Sequence, residues 1–401
     1  TNNVELYLLI LDTQNTSIHL RLWHRHFQML LLAELFLAMS IYVQIPVLRS
    51  LFSDTGISSG WETYGLLSFA VGLYLLGGFI EPFFQKYKRN RVCQFSIFMI
   101  IVILAGAYFM PEIFFSGITI GVVALLLGVF YGLAQMVLLS TLIIDTTDSF
   151  QRTEANYVVS WVLRLALAIG PLVGMAMSVF FAREFFSQGL QLVVSAVFAL
   201  LAYLFISGVH FPFKAPDERH VCWSTDRYLL LRGCPLFFTL LLAAIAGGVM
   251  VGHFTTASDY AFLLIGLVVA LVAERMIFFN GDLKSEAIAG YILLGMACLI
   301  QLTRHGEGFS SVVAFLVGNG FGLLTSRYLL FFIKLSRHCE RATAQSTYFL
   351  AYESGLAVGL ATPYVIGDIQ AEAIVALVLV AVGLLLYNFV VHNWYLNNKN
   401  R

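Results

Sequence analysis

Long apolar runs, separated by short polar or charged clusters, recur along the whole 401-residue chain. Each run has about 20 residues, the length that an α-helix needs to cross the hydrocarbon core of a bilayer. The pattern therefore predicts an all-α membrane protein with twelve transmembrane helices. Its predicted spans are 27–50, 62–85, 92–110, 113–144, 154–182, 187–210, 233–253, 259–279, 286–303, 309–333, 342–366 and 371–392.

Charged residues between the spans predict the orientation of the chain, because Lys and Arg concentrate in cytoplasmic connections. Most of them follow the even-numbered spans or flank the first and last spans. We therefore predict that the N-terminal segment 1–26 and the C-terminal tail 393–401 are both cytoplasmic. The longest connection, 211–232, is predicted to be a cytoplasmic linker between two six-helix halves, 27–210 and 233–392.

An internal repeat supports the division into halves. When Arg152 is aligned with Arg341, the fifth and eleventh spans carry identical or similar residues at equivalent positions. The matched pairs are Ala155 with Ala344, Asn156 with Gln345, Ala168 with Ala357 and Gly170 with Gly359. The fifth and eleventh helices are therefore predicted to be counterparts in a pseudo-symmetric fold.

Composition narrows the possible partners. Hydrophobic residues make up 59% of the chain and charged residues 11%, a balance that a soluble domain does not have. The 23 Lys and Arg equal the 23 Asp and Glu, so the chain lacks the excess positive charge of a nucleic-acid binder. The five cysteines show no zinc or disulfide spacing, and the histidines lie outside the spans or at their ends. We expect the bilayer as a partner, and neither a metal nor another cofactor.

Small residues in the fifth span resemble a known motif. Ala166, Gly170, Pro171 and Gly174 follow, with two departures, the GxxxGPxxGG antiporter motif of the major facilitator superfamily. Small residues let two helices approach closely and proline bends a helix, so these residues are predicted to shape a structural or gating contact. A tight helix contact with no bearing on antiport is the alternative interpretation.

Two further features resemble the same superfamily. Gly77 to Glu81, followed by basic residues up to Arg91, resembles its cytoplasmic loop motif in a degraded form. Asp145 and Arg152 resemble an acid on the fourth helix that answers a basic residue at the start of the fifth. The resemblance covers the whole chain in layout, and it implies two six-helix halves around a solute site near the membrane midplane.

Four ionisable residues lie deep inside predicted spans, where each costs at least about 2.5 kcal/mol and calls for a partner or a cavity. They are Glu34, Arg164, Arg327 and Glu353. One interpretation is structural, with Glu34 paired to Arg164 and Glu353 paired to Arg327. The other is proton coupling, because a movement that changes the partner of a buried carboxylate also changes its protonation.

The resemblance ranks these residues. The first, fourth, seventh and tenth helices line the cavity in this superfamily, so Glu34 is predicted to carry the proton and Arg327 to meet the solute. Glu353 is the second candidate for proton coupling, although its loss is expected mainly to reduce stability. The other candidates for contact with the solute are Arg164, Gln135, Tyr42 and Asn319.

Three functions are compatible with these features. The leading hypothesis is a monomeric, proton-coupled secondary transporter in a plasma membrane, such as a bacterial inner membrane, and the antiporter-like motif favours export. Uptake of an organic anion or nutrient is the second, with Arg164 or Arg327 receiving a carboxylate. A membrane scaffold that has lost the transport cycle is the third, and the degraded loop motif favours it. No GxxxxGKS/T phosphate loop or HExxH helix occurs, so we expect neither an ATP-driven pump nor an enzyme.

Overall fold

The structure is a computed structural model that describes residues 22–48, 60–114, 117–148, 150–181, 188–209, 211, 222–277, 283–304 and 307–399. Within these residues, twelve helices are long and apolar enough to cross a membrane, which confirms the predicted architecture and number of spans. We number them α1 to α12, and they comprise Arg25–Val47, Trp61–Lys86, Arg89–Phe109, Gly117–Asp145, Arg152–Met177, Gly189–Ser207, Leu231–Val251, Ala257–Met276, Leu283–Thr303, Gly308–Leu335, Arg341–Ile366 and Ile369–Asn398.

The last helix is longer than the apolar pattern predicts. A π-helical turn at Tyr387–Val391 continues the helix past the predicted end of the span. Beyond that turn, the Tyr395 ring packs with its centroid 4.8 Å from that of Phe331. Most of the segment predicted as a C-terminal tail, 393–401, is therefore the final part of α12.

The two halves repeat the same packing. In the first half α1 packs against α5 and α6, α2 against α4, and α3 against α6; in the second, α7 packs against α11 and α12, α8 against α10, and α9 against α12. Gly170 of α5 faces the backbone of α1 at Met39 and Val43, and Gly359 of α11 faces the backbone of α7 at Ile245. The helices matched by the sequence repeat thus have equivalent neighbours.

The halves meet along two seams, where α2 packs against α11 and where α5 packs against α8 and α10. In the first seam, the Tyr74 hydroxyl lies 2.7 Å from Ser354 Oγ. In the second, the Tyr157 hydroxyl donates a hydrogen bond to the Glu274 carboxylate. Polar side chains therefore join the halves at both seams, in a bundle whose interior is otherwise largely apolar.

One end of the bundle, which we call the connector end, carries residues 222–230 and the ends of the even-numbered helices. Ser224 N donates to Gly78 O at the end of α2 over 3.0 Å. Arg232, beside α7, forms an ion pair of 3.3 Å with Glu340, next to α11. We call the opposite end, where α2 begins and α11 ends, the far end.

The exposed cysteines offer a test of the predicted orientation. Cys222, Cys234 and Cys339 are exposed, whereas Cys93 and Cys298 are buried. All three exposed thiols lie in sequence at the connector end, which the Lys and Arg distribution predicts to be cytoplasmic. A membrane-impermeant maleimide should therefore label inside-out vesicles and leave intact cells unlabelled. A variant with these three cysteines replaced by serine is the control, and labelling of intact cells would reverse the predicted orientation.

Gly174 lies where α5 passes between α1 and α6. A Cβ atom at this position would stand 2.5 Å from Val43 Cγ2 and 2.7 Å from Gln191 Oε1, both within van der Waals overlap. Gly174→Leu should therefore lower the thermal stability of the purified protein and impair any conformational cycle. Gly308→Leu is a matched control, because a Cβ at Gly308 meets nothing within 4 Å. Equal melting temperatures for the two variants would leave the motif at 166–174 without a structural role.

Candidate functional site

A cavity opens in the far half of the bundle, between the end of α1, the start of α2 and α4, and the second half of α11. It contains about 960 Å³ of empty space, including the volume at its mouth. Its lining is almost wholly aliphatic and aromatic, and Phe69 and Leu356 are typical members. Tyr42, Gln44 and Glu353 supply its polar side chains. The cavity therefore combines an apolar wall with one carboxylate, at the boundary between the two halves.

Glu353 is the carboxylate in this wall, and its residue is 2% exposed. The Tyr42 hydroxyl of α1 donates a hydrogen bond to its Oε1 atom, and Tyr131 of α4 faces the same carboxylate. Among the described residues, no Lys, Arg or His lies within 4.0 Å of it. The predicted pairing of Glu353 with Arg327 is therefore wrong, because α11 turns this carboxylate towards the phenols of the first half.

Glu34 lies fully buried in α1 and does not line the cavity. Gln135 of α4 faces its carboxylate, and the Glu353 carboxylate is close enough to repel it. Among the described residues, neither Glu34 oxygen has a hydrogen-bond partner. The predicted pairing of Glu34 with Arg164 is thus wrong as well. A buried carboxylate without a hydrogen-bond donor is costly, so its protonation should respond to any change in its surroundings.

Arg164 of α5 joins the two halves instead of pairing with an acid. Its Nη1 atom donates to the Gly322 carbonyl over 2.8 Å and to Thr325 Oγ1 over 3.1 Å, both on α10. Its remaining donors return to Ser160, and its guanidinium lies 4.0 Å from the centroid of the Trp161 ring. Carbonyl oxygens, hydroxyls and an aromatic face thus hold this buried charge.

Arg327 of α10 pairs with acids of its own half. Its Nε atom forms an ion pair with Glu286 of α9 and lies 3.9 Å from Glu274 of α8. Glu274 also accepts hydrogen bonds from Ser326 and from Tyr157 of α5. This cluster lies towards the connector end and outside the cavity lining.

Sequence reasoning missed both acids of this cluster, because they lie near the ends of their spans. Their depth in the membrane could have revealed them. Glu274 is close to the end of α8, Glu286 is close to the start of α9, and Arg327 lies eight positions before the end of α10. Adjacent antiparallel helices bring such positions to the same depth. Asn319, another predicted solute contact, lies outside the cavity lining, and its Oδ1 atom has no hydrogen-bond partner.

The connector end holds a second network of charges. Asp145 at the end of α4 forms an ion pair with Arg89 at the start of α3, so the predicted partner, Arg152, is wrong. Arg227 of the connector lies over the Phe84 ring and donates to Thr141 Oγ1 over 2.9 Å. Burial, and then the nearby Arg89 charge, lower the pKa of Arg227, whereas Asp145, Asp226 and Glu81 oppose this shift.

Residues 222–230 fill the space between the halves at this end, while residues 212–221 of the predicted linker lie outside the described residues. The rings of Trp223 and Tyr228 occupy the positions that side chains at Gly78 and Gly77 would take. The Tyr228 hydroxyl donates to the Tyr74 carbonyl over 3.0 Å. Burial raises the pKa of Tyr228, so this hydroxyl keeps its proton.

The backbone of the connector also binds the second half. Arg227 N donates to Thr343 Oγ1 over 2.8 Å, and Leu230 N donates to Thr347 Oγ1 over 2.7 Å. Both threonines belong to the first turns of α11. Arg227 itself has φ 57°, a left-handed backbone that is uncommon outside glycine and that this dense set of contacts holds in place.

Twelve spanning helices in two equivalent halves, with a cavity where the halves meet, define the fold of the major facilitator superfamily of transporters. The chain matches no protein-family model and no curated protein sequence. It is similar in structure to the human organic anion transporter MFSD10 (TETRAN), with 13% identity, TM-score 0.65, and coverage of 90% of this chain and 98% of that one.

Two further solved structures show the same fold. An auto-inhibited peptide transporter of the POT family has 10% identity and TM-score 0.67, with 94% of this chain and 98% of that one covered. A mutant of the nucleoside transporter NupG has 13% identity and TM-score 0.63, with 94% and 100% covered. At these identities the likeness establishes the fold alone, and the site must carry any argument about the solute.

Proposed function

We propose that this protein is a secondary active transporter that moves a small solute across a membrane by alternating access. The observation that carries the proposal is the cavity between the halves, which lies in the far half of the bundle and reaches the buried Glu353 carboxylate. A solute site at the meeting of two repeated halves is what rigid-body rocking exposes to each side in turn. The three solved transporters of the same fold support this class.

Contacts at the connector end support the closed side of such a cycle. Connector residues bind α2, α4 and α11 together through Tyr228, Arg227 and the α11 threonines. These contacts are hydrogen bonds that bonds to water can replace when the halves separate, so each contributes only a modest net stabilisation. We infer that the halves are closed at the connector end in this arrangement, and that the opposite state requires this network to separate.

Proton coupling is the second part of the proposal. Two carboxylates, Glu34 and Glu353, lie close enough to repel one another, and neither has a basic partner among the described residues. Interacting acids release their protons in separate steps, so a movement that separates them or changes their surroundings changes the number of bound protons. We assign the coupling proton to Glu34 and favour export in exchange for protons.

The same geometry gives less support to the two alternative functions, uptake of an organic anion and a membrane scaffold. Uptake of an organic anion needs a basic residue at the cavity, and Arg164 and Arg327 both make their contacts elsewhere. A scaffold that has lost its cycle has no need for a cavity that ends on a buried carboxylate. We further propose a monomer in a plasma membrane, with both termini cytoplasmic as the distribution of Lys and Arg predicts.

A screen of solute-dependent proton flux in proteoliposomes tests the proposal. We expect at least one class of small solute to drive proton movement, detected by a pH-sensitive dye trapped in the vesicles. Vesicles that contain no protein give the background. Absence of flux for amphipathic cations, anions and neutral solutes alike, with correctly folded protein in the membrane, would favour the scaffold.

A further inference from the structure

The cavity wall is almost wholly apolar, and it therefore disfavours most classes of polar solute. Of its lining residues, all of them described, only Tyr42, Gln44 and Glu353 carry polar side chains, and none is basic. Gln44 already donates to Ser195 Oγ over 3.0 Å. A sugar, nucleoside or peptide would leave many hydrogen-bonding groups unpaired against this wall, which costs free energy for each one. A solute with an apolar body matches the wall, and the Glu353 carboxylate is the one charged group in the wall that such a solute can bind.

That charge is the Glu353 carboxylate, and no Lys, Arg or His among the described residues lies within 4.0 Å of it. The Arg164 charge acts on Tyr348 and Tyr352, but its guanidinium binds Ser160, Gly322 and Thr325. The titratable groups that face Glu353 itself are Tyr42 and Glu34 of α1, Tyr131 of α4, and Tyr348 and Tyr352 of its own helix. All of them are acids or phenols, so none can neutralise a carboxylate. A carboxylate in such surroundings needs either a bound proton or a bound cation. An anionic solute would be repelled by every group in this set that ionises.

We propose that the cavity binds a monovalent lipophilic cation, whose charged atom pairs with the Glu353 carboxylate in place of a proton. This proposal rests on the transport function proposed above and names its class of solute. When the cation enters, the carboxylic O–H bond of Glu353 breaks and the proton passes to the water at the cavity mouth. The carboxylate and the cation then form the ion pair, so one positive charge replaces another.

Exchange at Glu353 links cation binding to proton release in the cavity, while the coupling proton of the transport cycle stays assigned to Glu34, which the Glu353 charge repels. The cation and the proton cannot both neutralise Glu353, so each lowers the affinity for the other, as linkage requires. Protonated Glu353 excludes the cation at low pH, and ionised Glu353 accepts it at higher pH. Affinity for the cation should therefore rise as pH rises. Tyr42, which donates to the carboxylate, is a positioning residue for the same exchange.

Tetraphenylphosphonium is a suitable probe, because tetraphenylborate has nearly the same shape with the opposite charge. We expect the purified protein to bind radiolabelled tetraphenylphosphonium with at least about tenfold higher affinity at about pH 8 than at about pH 5, with no measurable binding of tetraphenylborate. A pH indicator in weakly buffered solution should report about one proton released per cation bound, by the linkage between the two ions.

Variants at Glu353 identify the site. Glu353→Gln should lower the affinity at least about tenfold and remove both the pH dependence and the proton release. Glu353→Asp should retain part of each, and Glu112→Gln, a change at an exposed acid of the far end, should behave as the wild type. If Glu353→Gln fails to fold, binding of the two probes to the wild-type protein and to Glu353→Asp still tests the proposed cation site.

Two results would overturn the proposal: wild-type affinity in folded Glu353→Gln, or equal affinity of the wild type for the two probes. Failure of the wild-type protein to bind tetraphenylphosphonium would also contradict the proposed cation site. The proposed transport function would still hold in that case if the distance between the halves changes. Conversely, tetraphenylphosphonium binding by a protein whose halves never move would contradict the transport function and keep the site.

Discussion

Glu34→Gln should abolish proton-driven solute accumulation while leaving solute binding and exchange down a concentration gradient measurable. The side chain is fully buried, faces Gln135, and has no hydrogen-bond partner on either carboxylate oxygen. Glutamine keeps the shape and the hydrogen-bonding capacity of the side chain and removes its titration. Because Glu34 does not line the cavity, its loss should affect coupling rather than binding.

The measurement uses proteoliposomes and the solute that the flux screen identifies. An imposed pH gradient should drive accumulation by the wild-type protein, and the Glu34→Gln variant should give accumulation at the level of empty vesicles. Counterflow exchange, which needs no proton gradient, supplies the matched control on the same vesicles. Full pH-driven accumulation by Glu34→Gln would remove the coupling role and leave Glu34 as a structural residue.

Arg327→Met should destabilise the protein by about 3–5 kcal/mol, the usual cost of removing one partner from a buried ion pair. The Arg327 side chain is 12% exposed, and the two acids that it neutralises are less exposed still, at 3% for Glu274 and 1% for Glu286. Methionine keeps the length and apolar stem of arginine and leaves two carboxylates without a cation. We expect the effect in unfolding, since the cluster lies outside the cavity.

A double-mutant cycle separates this role from solute recognition. Arg327→Met combined with Glu286→Gln removes one of the two carboxylates that lost their cation and should be more stable than Arg327→Met alone. Thermal unfolding of the purified proteins in one detergent provides the comparison. Wild-type stability in Arg327→Met, together with loss of solute binding, would restore Arg327 as the solute contact that the sequence predicts.

Hydropathy predicts most of this fold because the bilayer imposes a fixed length on every span and satisfies no backbone polar group. The twelve spans and the equivalence of the fifth and eleventh helices follow from that constraint and from the repeat. The burial of three of the four predicted membrane charges is confirmed as well, with Glu34 at 0%, Arg164 at 1% and Glu353 at 2% exposure. Depth in the membrane can be read from the distance to the nearest span end.

Partners were not predictable in the same way, because they depend on the rotation of each helix about its own axis. Arg164 and Glu34 have similar depth and opposite charge, yet α5 turns Arg164 towards α10 and α1 turns Glu34 towards α4. Two phenols replace the expected cation at Glu353, and a single sequence contains no signal for that choice. The sequence predicts only a cytoplasmic linker at 211–232, whereas Trp223 and Tyr228 pack against glycines of α2.

The distance between the two halves, measured at each end of the bundle, is the most direct test of alternating access. Spin labels at Lys88 and Arg337, both exposed, report on the connector end, and labels at Met110 and Val365 report on the far end. The exposed cysteines are first replaced by serine, and distances are measured by pulsed electron resonance in nanodiscs at about pH 8 and about pH 5, a range in which carboxylates buried in apolar surroundings exchange protons. Proton-coupled alternating access predicts that lower pH increases a population with a longer distance at the connector end and a shorter distance at the far end. A single distance at each end, unchanged by pH, would contradict it.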